Sequence, residues 1–256
     1  TERGFDTYQR SSDIRIPKQF AEHVRDSWGD GRNFTYLHLL GPHSPLRPSK
    51  EARQRWNVDM KWLKGARGFG IGAAKRNREQ GVREAYRAAY HAVIEDTDQR
   101  IGEILEGLGT HRDNTWIVLT SDHGELLGEH DIVGHGSHVY QALTHVPFVV
   151  VPPTGKDPIG LPDNLANTVL PDIACRILKL TCEWPSQLHA PLPMISQREG
   201  QIALSPDGVQ KATWTPDPLQ YNLATDPNEL SPFPVSGDVA QAYKDWLSQT
   251  PQGTPS

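Results

Sequence analysis

The stretch NTWIVLTSDHGELLGEH, residues Asn114–His130, decides the fold class of this 256-residue chain. Its first half is a near-continuous run of apolar residues, and it breaks at Ser121 into acidic residues, imidazoles and glycines. A strand that is apolar on both faces is typical of a parallel sheet covered by helices on both sides. In α/β sheets, sites form at the carboxyl ends of the strands. The stretch therefore predicts a central strand that leads directly into a functional site.

The sequence around this stretch alternates between helical and strand patterns. From about Val82 to Leu108, apolar residues recur mostly at spacings of three and four, which predicts an amphipathic helix that ends at Gly109. NFTYLHLL (33–40) predicts an earlier strand, and VPFVVVPP (146–153) predicts a later apolar strand. This alternation predicts an α/β fold with a mostly parallel sheet flanked by helices.

The pattern changes in the last quarter of the chain. A helix is predicted to begin near Pro171, and after Met194 the short segments QIALS and VQKATW read as strands. A last helix is predicted near Val239 to Leu247. We therefore expect an α/β domain over residues 1–194 and a small antiparallel C-terminal subdomain over residues 195–256.

Composition and charge exclude several classes of protein. The net charge is −5 without blocks of like charge, which argues against nucleic acid as a partner. No apolar run approaches the roughly 18 residues of a transmembrane segment. The chain has two cysteines, which rules out a disulfide scaffold, and Cys175 lies in an apolar pattern that predicts a buried core thiol.

The polar run after the apolar strand is rich in titratable groups. Thr120–His138 holds four of the chain's eleven histidines, together with several carboxylates. Asp122 and His123 are adjacent at the strand end, and a carboxylate with an imidazole suits a divalent cation. The alternative is that Asp122 caps a following helix while His123 is an ordinary surface histidine.

Several segments, in the same order along the chain, resemble the sulfatase family of the alkaline-phosphatase superfamily. The most specific is the Ser-Asp-His-Gly-Glu motif with its following Gly-Glu-His, and GHGSHVYQALTHVPFVVVPP lies behind it. The weaker segments are RGFDTY (3–8), FTYLHLLGPHSPLRP (34–48), YHAVIEDTDQRIGEILEGL (90–108), VLPDIACRILKLT (169–181) and LQYNLATDPNEL (219–230). The resemblance covers residues 3–230, which is nearly the whole chain.

The resemblance implies an activity and a set of site residues. It implies hydrolysis of a sulfate ester with a divalent metal, Ca²⁺ in the first place and Mn²⁺ or Zn²⁺ as alternatives, held by Asp122 and His123. His43 would meet the sulfate group or its leaving oxygen, whereas without the family it would be a loop histidine ordered by two prolines. His135 lies where many members have a sulfate-contacting lysine. Three further histidines would belong to loop structure or support the ligands: His130, His138 and His145.

The nucleophile of the family has no counterpart in these residues. The family converts a cysteine or serine in the pattern Cys/Ser-x-Pro-x-Arg to formylglycine, and HSPLR (43–47) has that spacing with His43 in place of the nucleophile. The resemblance therefore implies a missing N-terminal part of the domain that carries the formylglycine and a pair of aspartate ligands. We expect this chain alone to be inactive and to expose a sheet edge. The family is often exported, which suggests a periplasmic or extracellular location.

Two other functions stay open at this point. A phosphonate or phosphodiester hydrolase of the same superfamily would use a similar metal site and nucleophile. A non-catalytic remnant or binding protein would keep the fold without the reaction.

Overall fold

The structure is a computed structural model that describes residues 6–29, 31–64, 79–135, 138–181, 194–198, 201–214 and 218–249. The first residues of the RGFDTY segment and Cys182 therefore lie outside the described residues. The chain divides into two compact units, Thr1–Thr115 with Asp131–Val133, and Trp116–His130 with Gly134–Ser256. The domain boundary that the sequence predicts after residue 194 stays a prediction.

One long helix organises the first unit. The helices of this unit are α1 (Ile16–Ser27), α2 (Lys50–Arg55), α3 (Met60–Leu63) and α4 (Gln80–Gly107), and the first three all pack against α4. The predicted amphipathic helix is confirmed by α4, and Gly109, with φ 54°, follows its end. The buried face of α4 consists largely of alanine and apolar side chains: Val82, Ala85, Tyr86, Ala89, Ala92, Val93 and Ile104.

The strand predicted over residues 33–40 is wrong. The structure gives this segment no regular secondary structure, and Phe34, Tyr36 and Leu40 are exposed. A β-strand is stabilised by hydrogen bonds to a neighbouring strand and by packing of its faces. Within the described residues no strand pairs with this segment, so its β-propensity alone does not produce a strand.

The apolar strand of the opening stretch is β1 (Ile117–Thr120), and its partner is β4 (Phe148–Val151). Both strands were predicted, but their expected parallel arrangement is wrong, because Ile117 pairs with Val151 and Thr120 with Phe148 in an antiparallel ladder. A parallel pair needs a long crossover, usually a helix. The connection from β1 to β4 covers residues 121–147, and its described residues contain no crossover helix, but β2 (Leu126–Leu127), β3 (Val133–Gly134), a 3₁₀ turn and the one-turn helix α5 (Gln141–Thr144).

The C-terminal part confirms the predicted antiparallel strands. Helix α6 (Leu170–Leu178) begins one residue before Pro171, as the proline predicts. Five strands then form a sheet in chain order, every neighbouring pair being antiparallel: β5 (Met194–Arg198), β6 (Gln201–Ser205), β7 (Gln210–Trp214), β8 (Pro218–Asn222) and β9 (Phe233–Pro234). The last helix, α7 (Gly237–Gln249), follows the sheet.

A small core joins α7 to the sheet. Leu204, Ala212 and Val239 are buried together, and the ring of Trp214 stacks on that of Tyr243 with centroids 3.8 Å apart. A fully buried leucine or valine contributes roughly 1.5–3 kcal/mol through removal of apolar surface from water. This core gives the C-terminal sheet a rigid attachment to α7.

Two further predictions have different outcomes. Cys175 was expected to be a buried thiol, but it is half-buried and disulfide-bonded. The prediction of a buried thiol is therefore wrong, because apolar spacing does not reveal whether a cysteine in a helix is oxidised. As for membrane spans, none of the helices among the described residues combines the length and the apolar character that a crossing would require.

Candidate active site

The loop after β1 is fixed by hydrogen bonds from a distant residue. The Asn167 side chain donates from Nδ2 to the Ser121 carbonyl (2.7 Å), and its Oδ1 accepts from Thr120 Oγ1 (3.0 Å). Within the loop, Ser121 Oγ donates to the His123 carbonyl (2.7 Å). Because these bonds constrain the backbone on both sides of residue 122, the side chains that follow β1 are held in one arrangement.

The two predicted metal ligands lie side by side in this loop. Asp122 Oδ2 is 3.8 Å from His123 Nε2, and Asp122 Oδ1 accepts from the His123 backbone N–H (3.0 Å). The Asp122 side chain is 79% exposed and that of His123 is 32% exposed. An exposed carboxylate beside a partly exposed imidazole is a donor set of the kind that binds divalent cations.

A buried acid–imidazole pair adjoins these residues. His135 Nδ1 is 2.8 Å from Glu125 Oε2, and the two side chains are only 9% and 3% exposed. The ring of His135 lies against that of His123, with centroids 4.4 Å apart and planes inclined by 39°. One donor atom from each of His123, Glu125 and His135 lies within 4.8 Å of the others. His123 thus lies next to both Asp122 and His135, and these three of the four predicted site residues all belong to the second unit.

Gly124 allows the loop after β1 to pack closely against α5. Its N–H donates to the Leu143 carbonyl (2.8 Å), and a Cβ at this position would lie 2.1 Å from the Ala142 carbonyl oxygen. Only glycine fits without displacing the backbone. His123 is therefore positioned by contact between its own loop and α5.

The α5 helix is in turn held by a buried ion pair. Lys211 Nζ lies 3.0 Å from Glu229 Oε1, and the other carboxylate oxygen of Glu229 accepts from the Gln141 backbone N–H. Lys211 also donates to Gln141 Oε1 and Thr144 Oγ1, each at 3.4 Å. Burial lowers the pKa of Lys211, while the negative charge of Glu229 opposes that shift.

The fourth predicted residue, His43, belongs to the first unit. It is exposed in the loop after Gly41, its backbone N–H donates to the Leu40 carbonyl (3.0 Å), and its Nδ1 is 2.6 Å from the Ser44 carbonyl oxygen. The far end of the loop is attached to α4, because Asp96 accepts from the Ser49 N–H (2.6 Å) and the Ser49 hydroxyl (2.7 Å).

The remaining predicted histidines have the surroundings expected of loop residues. The rings of His130 and His138 both stack on Tyr140, with centroids 3.8 Å and 5.2 Å away. Burial, with a smaller effect of His130, lowers the pKa of His138. His145 is exposed at the end of α5.

Sequence reasoning missed several residues that shape the site. Glu125 was seen only as part of the charged run, although its place in Ser-Asp-His-Gly-Glu is a signal that could have identified it. Asn167, Lys211 and Glu229 are 40 or more positions from the loop that they support. Nothing in local spacing could have linked them to that loop.

Comparison with known proteins identifies relatives of this chain. The profile of one family, Sulfatase, matches residues 2–181. Over 68 residues the chain is 35% identical to the uncharacterized sulfatase YidJ of Escherichia coli (strain K12), which covers 26% of this chain and 14% of that protein. Over 195 residues it is 27% identical to choline-sulfatase of Rhizobium meliloti (strain 1021), covering 65% of this chain and 38% of that protein.

A solved structure supports the same fold. The phosphonate monoester hydrolase of Agrobacterium radiobacter superposes with a TM-score of 0.63 at 17% identity, covering 95% of this chain and 61% of that one. At this identity the likeness shows the fold alone. In each of these comparisons the chain spans less than two thirds of the relative's own length.

Proposed function

Since the chain belongs to the sulfatase family, we propose that it carries part of the active site of a metal-dependent sulfuric-ester hydrolase. The observation that supports this most is the pair of adjacent donors at the end of β1, where Asp122 Oδ2 is 3.8 Å from His123 Nε2. Two donor atoms at this separation can bind one cation after a small side-chain movement. The reaction would then take place beside this loop.

The donors fit a divalent cation of the hard or borderline class. We propose Asp122 and His123 as its ligands, with Ca²⁺ as the family-typical ion and Mn²⁺ or Zn²⁺ as alternatives. Such an ion, when bound, withdraws negative charge from the sulfate oxygens and from the attacking group. Two protein ligands are fewer than the six to eight that Ca²⁺ prefers, so further oxygens must come from substrate, water or other residues.

We propose that His43 and His135 interact with the sulfate ester itself. His43, on its exposed loop, would donate a proton or a hydrogen bond to the leaving oxygen, which lowers the cost of the negative charge that develops there. His135 would act at the sulfate group. Its buried partner Glu125 keeps the imidazole in one orientation, which is what a group that meets an anion in a defined place requires.

The nucleophile of this reaction has to come from other residues. The sequence contains no Cys/Ser-x-Pro-x-Arg pattern. We propose that a formylglycine and the aspartates that complete the cation shell are supplied by a part of the protein outside these 256 residues. The activity, and the sulfate-ester substrate with it, therefore belongs to the complete protein.

The first test is turnover of an aryl sulfate by the full-length protein, with and without a chelator. Asp122→Ala should lower both the bound metal and the turnover, the latter by about 100-fold or more, because a ligand is lost. The matched control is Asp157→Ala, which removes an exposed aspartate of the same unit and should change neither quantity. If Asp122→Ala left metal content and turnover unchanged, the proposed cation site would be wrong.

A second candidate is hydrolysis of a phosphonate or phosphodiester. It is favoured by the likeness in fold to a protein named phosphonate monoester hydrolase. Side-by-side kcat/KM values for aryl sulfate, aryl phosphodiester and aryl phosphonate would separate the two, since the larger value identifies the preferred ester. Absence of turnover with all three in the metal-loaded full-length protein would instead support the non-catalytic alternative.

A further inference from the structure

We propose that His135 acts on the sulfate through the cation, as a third protein ligand beside Asp122 and His123. This inference rests on the proposed cation site and deepens it, because it assigns a ligand that a lysine at the same position could not provide. Two observations support the third ligand. One is the position of the proton on each imidazole ring, and the other is the set of distances among the donor atoms.

The tautomer of His123 is set by its neighbour. Its Nδ1 is 2.9 Å from the Gly124 carbonyl oxygen, and a carbonyl can only accept a hydrogen bond. The proton of a neutral imidazole is therefore on Nδ1, which places the lone pair on Nε2. This is the nitrogen that lies 3.8 Å from Asp122 Oδ2.

His135 has the same arrangement with a stronger partner. Its Nδ1 is 2.8 Å from Glu125 Oε2, and the Glu125 side chain is 3% exposed. Histidines that bind metals nearly always donate their other N–H to a carboxylate or a carbonyl, which fixes the ring and makes the ligand nitrogen more basic. Glu125 gives His135 this partner, and the Gly124 carbonyl gives one to His123.

The separation of the donors suits one shared ion. The rings of His123 and His135 are 4.4 Å apart at their centroids, and one donor atom of each lies within 4.8 Å of the other. Ligand atoms bound at about 2.1 Å to one cation are about 3.0–3.5 Å from each other. A bound ion would draw these donors together, mainly through the 79% exposed Asp122 carboxylate, while His135 keeps its hydrogen bond to Glu125.

Two imidazoles and one carboxylate change which metal the site prefers. Ca²⁺ takes oxygen ligands almost exclusively, whereas imidazole nitrogen suits Mn²⁺, Zn²⁺ and Co²⁺. The third ligand therefore predicts tighter binding of these ions than of Ca²⁺. Glu125 is a positioning residue in this arrangement, because it acts through His135.

The test measures metal selectivity in the full-length protein, apart from turnover. Titration calorimetry with Mn²⁺, Zn²⁺ and Ca²⁺ should show that His135→Lys weakens Mn²⁺ and Zn²⁺ binding by at least about tenfold and changes Ca²⁺ binding much less. Glu125→Gln should weaken the same two ions to a smaller extent. His145→Gln removes an exposed histidine of the same unit and should leave all three affinities unchanged.

Pulsed electron paramagnetic resonance of the Mn²⁺-loaded wild-type protein gives a second measurement, which does not depend on whether a variant folds. The inference expects two directly bound imidazole nitrogens, and a single nitrogen would overturn it. Unchanged Mn²⁺ and Zn²⁺ binding in folded His135→Lys would also overturn it. That result, with aryl-sulfate turnover and its dependence on Asp122 intact, would leave the proposed function standing and return His135 to direct contact with the anion.

Discussion

Lys211 Nζ lies 3.0 Å from Glu229 Oε1, and the two side chains are 3% and 1% exposed. The same carboxylate accepts from the Gln141 N–H at the start of α5, and the Leu143 carbonyl of that helix accepts from the Gly124 N–H. A buried ion pair between β7 and the segment that follows β8 is therefore connected, through one short helix, to the loop that holds His123.

Loss of one partner of this pair should destabilise the protein severely. Lys211→Met leaves the Glu229 carboxylate buried without its counter-charge, and the free energy of unfolding should fall by about 3–5 kcal/mol. Urea unfolding followed by circular dichroism measures this change. The matched control is Lys18→Met, because Lys18 forms an exposed pair with Glu22 at 3.8 Å and should contribute less than about 1 kcal/mol. Equal effects of the two substitutions would contradict this prediction.

Gly124→Ala should impair the site through its backbone. The new Cβ would lie 2.1 Å from the Ala142 carbonyl oxygen, so the loop with His123 has to move. We expect weaker metal binding, by about tenfold or more, together with lower stability. Gly102→Ala is the control, since a Cβ there meets nothing within 4 Å, and in helix α4 it should stabilise by up to about 1 kcal/mol. Unchanged metal affinity in Gly124→Ala would refute the positioning role of this contact.

Asp96→Ala should loosen the loop that carries His43. The Asp96 carboxylate is buried and accepts from both the N–H and the hydroxyl of Ser49, which itself caps α2. Its removal leaves these donors without their acceptor and should cost about 1–3 kcal/mol of stability. If His43 and the metal act as proposed, kcat of the full-length protein should fall more than KM rises, because the metal site that would bind the substrate is unchanged. Asp98→Ala changes an exposed aspartate of the same helix and should preserve both constants.

Alkaline pH should destabilise the second unit through Tyr221. Burial, with nearby Tyr140 and Glu229, raises the pKa of Tyr221 to about 12 from 10.0. Between these values the unfolded chain releases the phenol proton while the folded state keeps it, so this contribution is complete below pH 10 and is lost as the pH rises through 12.

The size of this effect follows from the shift. Up to about 3 kcal/mol of stability should disappear over the interval. Urea unfolding at a series of pH values measures it, and Tyr221→Phe should flatten the slope. Tyr8→Phe, at a 44% exposed tyrosine, should leave the slope in place. A slope that persists in Tyr221→Phe would assign the pH dependence to other groups.

Much of the secondary structure was predictable because its signals are local. The spacing of apolar residues identified α4, the proline at 171 marked the start of α6, and the change of pattern after residue 194 indicated the antiparallel sheet. The segment 33–40 shows the limit of such signals. Its residues favour a strand, but a strand requires a neighbour, and residue propensity does not provide one.

Some features of the candidate site were also predictable from the sequence, and others were not. Asp122 and His123 were recognisable because they are adjacent and follow an apolar strand, and the family resemblance added His43 and His135. The approach of His135 to His123 and its pairing with Glu125 depend on how the chain returns after β2, which spacing alone does not specify.

The family, most of the helices and strands, and the run of residues from which a cation site can be built were all recognisable in the amino-acid sequence. The antiparallel pairing of β1 with β4, the contact of Glu125 with His135, and the support of α5 by Lys211 and Glu229 became visible only in the folded chain. The two groups of features differ in the distance along the chain over which their interactions act. Periodicity and capping act over a few residues, whereas desolvated ion pairs and hydrogen bonds join groups that only the folded chain brings together.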